Sequence, residues 1–407
     1  MSRTTSIALA LAIGLAIGLL MVAHAGIGKD QALMLDLGRA MLAEGRWLDF
    51  GMPTSAGGRS PGGMTGLLVA APLWIWNDPR SPALFTLALH ALAFGLLLRV
   101  AKPALGEAGL AVLVALAWLS PWQLFFGSHL WNANYMYVFA VLHLVSLTRL
   151  ARNPGRLDSA VHVFLFGIAL QVHTSAFVLA IGTALLVWRG AVRLDRVGLL
   201  LGGLALLLPY GSWLLAVNGH DDLLPGERGF PFRSLLLVHP WLRGAIQILR
   251  MGSLGVAERM LDLDFVPRLG AGVNAWLRPV ALAIVGAAQV TLLGALWTCR
   301  RLLTNAWRRR RGPVARPGSP QGLRAWLRTY AVAIILAMLV AFAAAPTAAM
   351  FWQALVLIPA AALAMALQAD ALARTRLAGV LRPASRALGL LAATMSLLMA
   401  FGAPIYR

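Results

Sequence analysis

The chain has little charge and almost no thiol. Charged residues fill 12% of its 407 positions, about half the share of an ordinary soluble domain, which excludes a conventional water-facing surface. A single cysteine, Cys299, excludes an intramolecular disulfide and any cysteine-based metal site. Lysine occurs only at Lys29 and Lys102, and acids number 15. The sequence holds no Walker-type phosphate loop, no Gly-x-Gly-x-x-Gly turn and no His-Glu-x-x-His helix. ATP-driven chemistry therefore has no visible engine.

What is present is apolar. Hydrophobic residues make up 59% of the chain, and the mean hydropathy is +0.75. They gather in runs near the length of a bilayer crossing, about 20 residues. Eleven candidate spans are 6–25, 81–101, 107–126, 133–149, 158–173, 175–189, 197–217, 279–298, 329–345, 350–369 and 387–404. The expected fold class is all-α, a polytopic helical membrane protein of about 11 transmembrane helices with amphipathic helices on its outer surface. The net charge of +20 would suggest nucleic acid in a soluble protein, but its placement argues otherwise. With the N-terminus in the cytoplasm, the inner side holds 22 basic residues and four acids, and the outer side 13 and 11. That asymmetry is the positive-inside pattern, and it makes Arg308–Arg311 a cytoplasmic anchor. Residues 158–189 could form one long helix or two short ones. Two, turning near His173-Thr174-Ser175, keep Arg149–Arg156 and Arg189–Arg196 on the same side. Ala23-His24-Ala25 resembles a signal-peptide cleavage site, but the apolar run before it is long and further spans follow, so an uncleaved first span is expected.

This topology divides the chain into a transmembrane core (1–217) with a first outer loop (26–80), a second outer loop (218–278), and C-terminal helices (279–407) carrying an Arg-rich inner loop (299–328). The first loop opens with Asp30, Leu33, Met34, Leu37 and Met41 at helical spacing, which predicts that Asp30 shares the apolar face. A carboxylate just outside a membrane can take a proton beside a lipid headgroup. It can equally be a charge favoured by the helix N-terminus. Residues 51–63 are rich in Gly, Pro and Ser, as in a mobile loop with exposed backbone N–H groups. Met64–Trp76 is apolar but too short to cross. In the second loop, His239, Arg243, Gln247 and Arg250 form a polar stripe, which could hold a lipid phosphate or simply face water. Polar clusters also lie at outer span ends: Ser128-His129-Leu130-Trp131-Asn132, Gln171-Val172-His173-Thr174, and Pro346-Thr347 with Phe351-Trp352. Such groups are costly near lipid and should face a cavity or each other.

At these residues the chain resembles the GT-C membrane glycosyltransferases, in particular the dolichyl-phosphate-mannose-protein mannosyltransferase-like and aminoarabinose transferase-like branch (glycosyltransferase family 39-like). Asp30-Gln31-Ala32 through Gly45 is similar to the family's outer helix, which opens with two acids. Ser60-Pro61 through Pro72-Leu73, Ser120-Pro121, Ser128–Asn132, Gly167-Ile168-Ala169-Leu170-Gln171-Val172-His173 and Phe351-Trp352 through Pro359 follow in the family's order. The similarity covers roughly residues 6–190 and weakens from 218 onward. Gln31 departs from the family, replacing its second acid.

The resemblance implies a bacterial inner-membrane glycosyltransferase with its site on the extracytoplasmic face. The donor would be a polyprenyl-phosphate sugar, and the acceptor a lipid-linked glycan, a lipid or a protein. Asp30 would be the general base. Gln31, Arg59, His129, Asn132, Gln171, His173, His239, Arg243 and Arg250 are the candidates for holding donor and acceptor. No metal ligand is assigned. A divalent metal stays open as cofactor, because outer acids such as Asp221, Asp222, Asp262 and Asp264 fit no defined ligand spacing. A non-catalytic GT-C-like scaffold and a lipid or glycan transporter or flippase compete with this reading.

Overall fold

The computed structural model describes residues 3–54, 57–217, 235–255, 271–308, 312, 314–345 and 350–401. It is a helical bundle. In chain order the helices are α1 (Arg3–His24), α2 (Lys29–Glu44), α3 (Met64–Ile75), α4 (Ser81–Ala101), α5 (Glu107–Ala117), α6 (Pro121–Gly127), α7 (Tyr135–Arg152), α8 (Arg156–Val172) and α9 (Phe177–Trp188). They continue as α10 (Arg196–Ala205), α11 (Leu207–Ala216), α12 (Val238–Met251), α13 (Ala271–Arg308), α14 (Pro320–Ala343), α15 (Ile358–Leu372) and α16 (Ala378–Phe401). Between α2 and α3, strands β1 (Phe50–Pro53) and β2 (Arg59–Pro61) pair antiparallel.

Among the described residues, six helices are long and apolar enough to cross a membrane, or up to eight if two bent pairs each count as one span. This is fewer than the eleven expected. The difference lies mainly in α7, α8 and α9. The α8 and α9 helices have only 17 and 12 residues, and α7 carries His143, Ser146 and Thr148 within its 18. The chain does reverse at His173–Ser175. At the far end Asp195 N donates to Ser159 Oγ at 3.0 Å, which brings the start of α10 beside the start of α8. The expected spans 107–126 and 197–217 are bent, by 47° between α5 and α6 and by 52° between α10 and α11. Ser120 accepts from Gln123 N at 3.2 Å, and Pro121 follows at the first helical position, so α6 starts afresh there. In α11, Pro209 lacks the N–H that would continue the helix from α10.

Small residues set the helix contacts. At Gly109 a side chain would run into the Ala366 carbonyl of α15, and at Gly202 into the Ala160 carbonyl of α8. Such close approach is how helices associate where lipid supplies no hydrophobic drive. The α1 helix is part of this packing, since Trp118 Nε1 donates to the Ala10 carbonyl at 3.1 Å.

The two ends of the bundle differ. At one end, here the arginine end, Asp370 is buried and accepts from Arg324 at 2.9 Å and from Arg374 at 3.2 Å. Arg149 pairs with Asp158 at 2.9 Å, and Arg386 pairs with Glu107. The other, hairpin end carries α2, α3, the β-hairpin, α12 and three 3₁₀ turns: Asn132–Asn134, Thr174–Ala176 and Phe351–Leu357.

Halfway along the bundle a polar cluster joins α7, α8, α9 and α14. His143 Nε2 donates to the Leu179 carbonyl (3.1 Å), so it carries the ring proton and also faces Thr183 Oγ1 (2.8 Å). His143 Nδ1 lies 3.2 Å from the Tyr330 hydroxyl, which also faces the Ala140 carbonyl at 3.4 Å. Ser146 Oγ donates to the His143 carbonyl (3.1 Å), so it accepts from His162 Nδ1 at 2.7 Å. His162 Nε2 accepts from Thr183 Oγ1 at 3.1 Å. Tyr330, His143, Thr183, His162 and Ser146 thus form one connected network, with every ring nitrogen and hydroxyl partnered.

Candidate functional site

The hairpin end is built on α2. Its buried face is Met34, Leu35, Gly38 and Met41, and Gly38 is the reason. A side chain there would collide with Val69 and the Ala70 backbone of α3, so α2 and α3 touch along this line. That contact rotates α2 away from the orientation that apolar spacing alone predicts. Asp30 does not share the buried face: it is exposed in the first turn, and no partner for its carboxylate occurs among the described residues. The helix N-terminus favours its charge. Gln31 turns inward. Its Oε1 accepts from Gly28 N at 3.1 Å, closing the helix start as the second half of a capping box does. Its side chain also lines a cleft of about 40 Å³ with Ile27, Leu35, Pro79, Arg80 and Leu130. The cleft has room for water.

Phe50–Pro53 and Arg59–Pro61 pair as the strands of a hairpin where a mobile loop was expected. Arg59 Nε donates to the Gly51 carbonyl across it at 2.9 Å, so this arginine braces the hairpin. Gly62, at φ +74°, lies so close to Gln171 that any side chain would strike its amide. Gln171 is fully buried, and its Nε2 donates to the Pro209 carbonyl at 2.8 Å. Trp47 Nε1 donates to the same oxygen at 3.0 Å. The bend at α11 therefore receives the first loop, and Gln171 is the latch between them.

His129, Asn132 and His173 come together around the 3₁₀ turns. Asn132 Nδ2 donates to the Val172 carbonyl at 3.0 Å, next to His173. His173 Nδ1 accepts from Ser175 N at 3.1 Å, which leaves the proton of a neutral ring on Nε2. His129 Nδ1 donates to the Phe125 carbonyl at 2.7 Å, and its ring stacks on Phe125 at 4.0 Å, so Nε2 holds the lone pair. An edge of the ring reaches the surface, yet burial pushes its pKa down to about 4, against the opposing pull of the Phe125 carbonyl. Beneath them, His90 donates to the Asn134 carbonyl (2.9 Å) and accepts from Gln123 (2.8 Å). Asn134 Nδ2 in turn donates to the His129 carbonyl at 2.6 Å. Aromatic rings surround this collar, with Trp131 on Trp352 at 5.1 Å, Phe351 on Trp352 at 5.0 Å and Trp122 on Phe351 at 5.0 Å.

The α12 helix presents three faces. Gly244, Gln247, Ile248 and Met251 are buried, while Val238, Leu242 and Ile246 are exposed. The polar flank lies between them. There Arg243 Nη2 donates to His239 Nε2 at 3.1 Å, and Arg250 is half-buried. Gln247 belongs to the bundle-facing side and leaves the expected stripe.

Sequence reasoning passed over Arg80. It lines the Gln31 cleft and is held by Asp78 through contacts of 2.9 and 2.8 Å. The Arg80 guanidinium keeps the Asp78 carboxyl down at about 2. The available signal was a lone cation at the mouth of a span, in Asp78-Pro79-Arg80-Ser81. Several buried polar atoms at this end have no protein partner, among them Ser60 Oγ, Gln123 Oε1, Asn134 Oδ1 and Gln171 Oε1. Among the described residues, no three His, Cys, Asp or Glu side chains come together as metal ligands. Asp221, Asp222, Asp262, Asp264, Arg309–Arg311 and Pro346-Thr347 lie outside the described residues. No protein-family model, no curated protein and no solved structure matches this chain.

Proposed function

We propose that the protein is a membrane glycosyltransferase that moves a sugar from a polyprenyl-phosphate donor to an extracytoplasmic acceptor, with inversion. One observation supports this most. The polar side chains singled out at span ends gather at one end of an apolar bundle, and that end also carries Asp30 on an exposed helix start. Asp30 is the general base. It accepts the proton of the acceptor hydroxyl while that oxygen forms a bond to the anomeric carbon and the bond to the phosphate oxygen breaks. Exposure suits this role, because the carboxylate must reach an acceptor arriving from water. Proton transfer of this kind contributes roughly 10²–10⁴-fold. The leaving polyprenyl phosphate carries its own negative charge and needs little acid help. Arg243 and Arg250 on the flank of α12, with Arg80, are the cations suited to that phosphate.

The test compares cell-envelope glycans, by mass spectrometry, in a deletion strain carrying either the wild type or Asp30→Asn. Loss of a defined sugar with the variant alone is the expected result, and its mass names the sugar. Equal restoration by both removes Asp30 from the base role.

A second reading, a lipid or glycan transporter, draws on one observation: ionisable His143, His162 and Tyr330 lie halfway along the helices. Intramembrane groups of this kind often mark transport paths. Here their hydrogen bonds close on one another and both histidines are buried, which favours a structural role. The scaffold reading keeps one support, that Gln31 serves as a helix cap.

A further inference from the structure

We propose that the collar formed by the three 3₁₀ turns at the hairpin end is a saccharide subsite, with the Trp131–Trp352 pair as its stacking platform. The inference deepens the glycosyltransferase reading and rests on it for the choice of ligand. Three features of the collar carry it.

The first is shape. Trp131 and Trp352 are both half-buried, with ring centroids 5.1 Å apart and planes inclined at 48°. Behind them, Phe126, Trp122 and Phe351 fix their positions, with Phe126 6.2 Å from Trp131 and 6.0 Å from Phe351. A rigid, partly exposed pair of indoles offers an apolar surface for the C–H face of a pyranose.

The second is the polar complement. His129 Nε2 holds a lone pair, His173 Nε2 carries a proton, and the Asn132 amide, already donating to Val172, keeps its carbonyl oxygen as an acceptor. Acceptors and a donor carried on the same collar of turns match sugar hydroxyls, which both donate and accept.

The third is charge. Residues 128–135, 172–177 and 350–357 contain no Asp, Glu, Lys or Arg. A phosphate would want cations, and those stand on α12, which packs against the turn Phe351–Leu357. The neutral collar thus takes the sugar itself, and the charged part of a lipid-linked substrate lies toward α12. A plain aromatic belt at a membrane surface would show the tryptophans without the interleaved donor and acceptors.

The experiment uses the full chain in phosphatidylcholine nanodiscs. Saturation-transfer NMR is recorded with methyl glucoside and methyl mannoside, and with cyclohexanol as a ring lacking the hydroxyl set. The expected result is transfer to the sugar ring protons at millimolar concentrations, with cyclohexanol weaker. Trp352→Ala lowers sugar affinity about tenfold, and Trp352→Phe, which keeps an aromatic face and the packing, lowers it less. Absence of transfer to either sugar on the wild type overturns the proposal. So does cyclohexanol binding as well as the sugars, or sugar binding unchanged in Trp352→Ala. The glycan comparison with Asp30→Asn reads catalysis and this experiment reads binding, so failure of one is distinguishable from failure of the other.

Discussion

The bundle holds two polar clusters that differ in one respect. Halfway along the helices, His143, Thr183, His162, Ser146 and Tyr330 satisfy one another in a single connected network. At the hairpin end, His129, Asn132 and His173 each keep a polar atom beyond their contacts with the protein backbone. Buried oxygens of Gln123, Asn134 and Gln171 find no protein partner there. A buried polar group without a partner is costly, so a closed network adds stability and an open one is tolerated where something else binds. Histidine identity and burial alone do not separate the two clusters. The closure of their hydrogen bonds does: the first cluster is self-sufficient, and the second keeps polar atoms to offer a ligand.

The largest effect expected from this contrast is on stability. His162→Ala removes the acceptor for Thr183 and the donor for Ser146 at a buried position, and should cost about 2 kcal/mol. His173→Ala should cost well under half as much, since its bonds are local to Ser175. Denaturant titration of the two variants in one detergent measures the difference. Equal losses would break the distinction between closed and open clusters.

Gly38 provides a second comparison, between fold and site. Gly38→Val forces α2 away from Val69 and Ala70, at an expected cost of about 1–2 kcal/mol from overpacking. It also turns Asp30 and Gln31 relative to the collar. Under the proposed function, activity should fall by more than the stability loss explains, measured as glycan transfer per folded protein. A variant that loses stability but transfers normally would detach α2 from the site.

The hairpin end should also carry a dependence on pH. Burial holds the His129 ring neutral down to about pH 4, while an unfolded histidine titrates near 6.5. The stability this contributes is fully present above pH 6.5 and declines as the pH falls toward 4. His129→Asn should flatten the unfolding midpoint across that window. An unchanged slope would move the titration to another group.

The helical character of the chain was legible, because apolar runs and their bounding turns are local signals. So was the reversal at His173, which the placement of Arg149–Arg156 and Arg189–Arg196 required. The orientation of Asp30 was not. Helical spacing among apolar residues put it on the buried face, but the close contact at Gly38 depends on a partner helix that no local pattern reveals. The roles of Arg59 and Gln171 were hidden for the same reason. Each satisfies a backbone carbonyl, Gly51 and Pro209, whose need is set by a hairpin and a helix bend. Residue type suggested ligand binding, and in the structure each side chain gives one donor to a backbone carbonyl. The mid-bundle cluster escaped notice because its members lie on four separate helices and leave no motif.

The smallest effect concerns the exposed pair beside the Gln31 cleft. Asp78 and Arg80 are joined by good geometry, yet both lie at the surface, where such pairs contribute little to folding. Arg80→Gln should therefore leave the unfolding midpoint unchanged. It should also release the Asp78 carboxyl from about 2 toward its ordinary value of 3.8, followed by NMR of the carboxyl carbon. A carboxyl that stays low without Arg80 would point to the backbone N–H groups of the 76–81 turn as its main support. A shift in the unfolding midpoint would be more consequential. It would mean that a surface charge pair helps hold the mouth of the cleft, and that the hairpin end depends on electrostatics as the mid-bundle cluster depends on its closed hydrogen bonds.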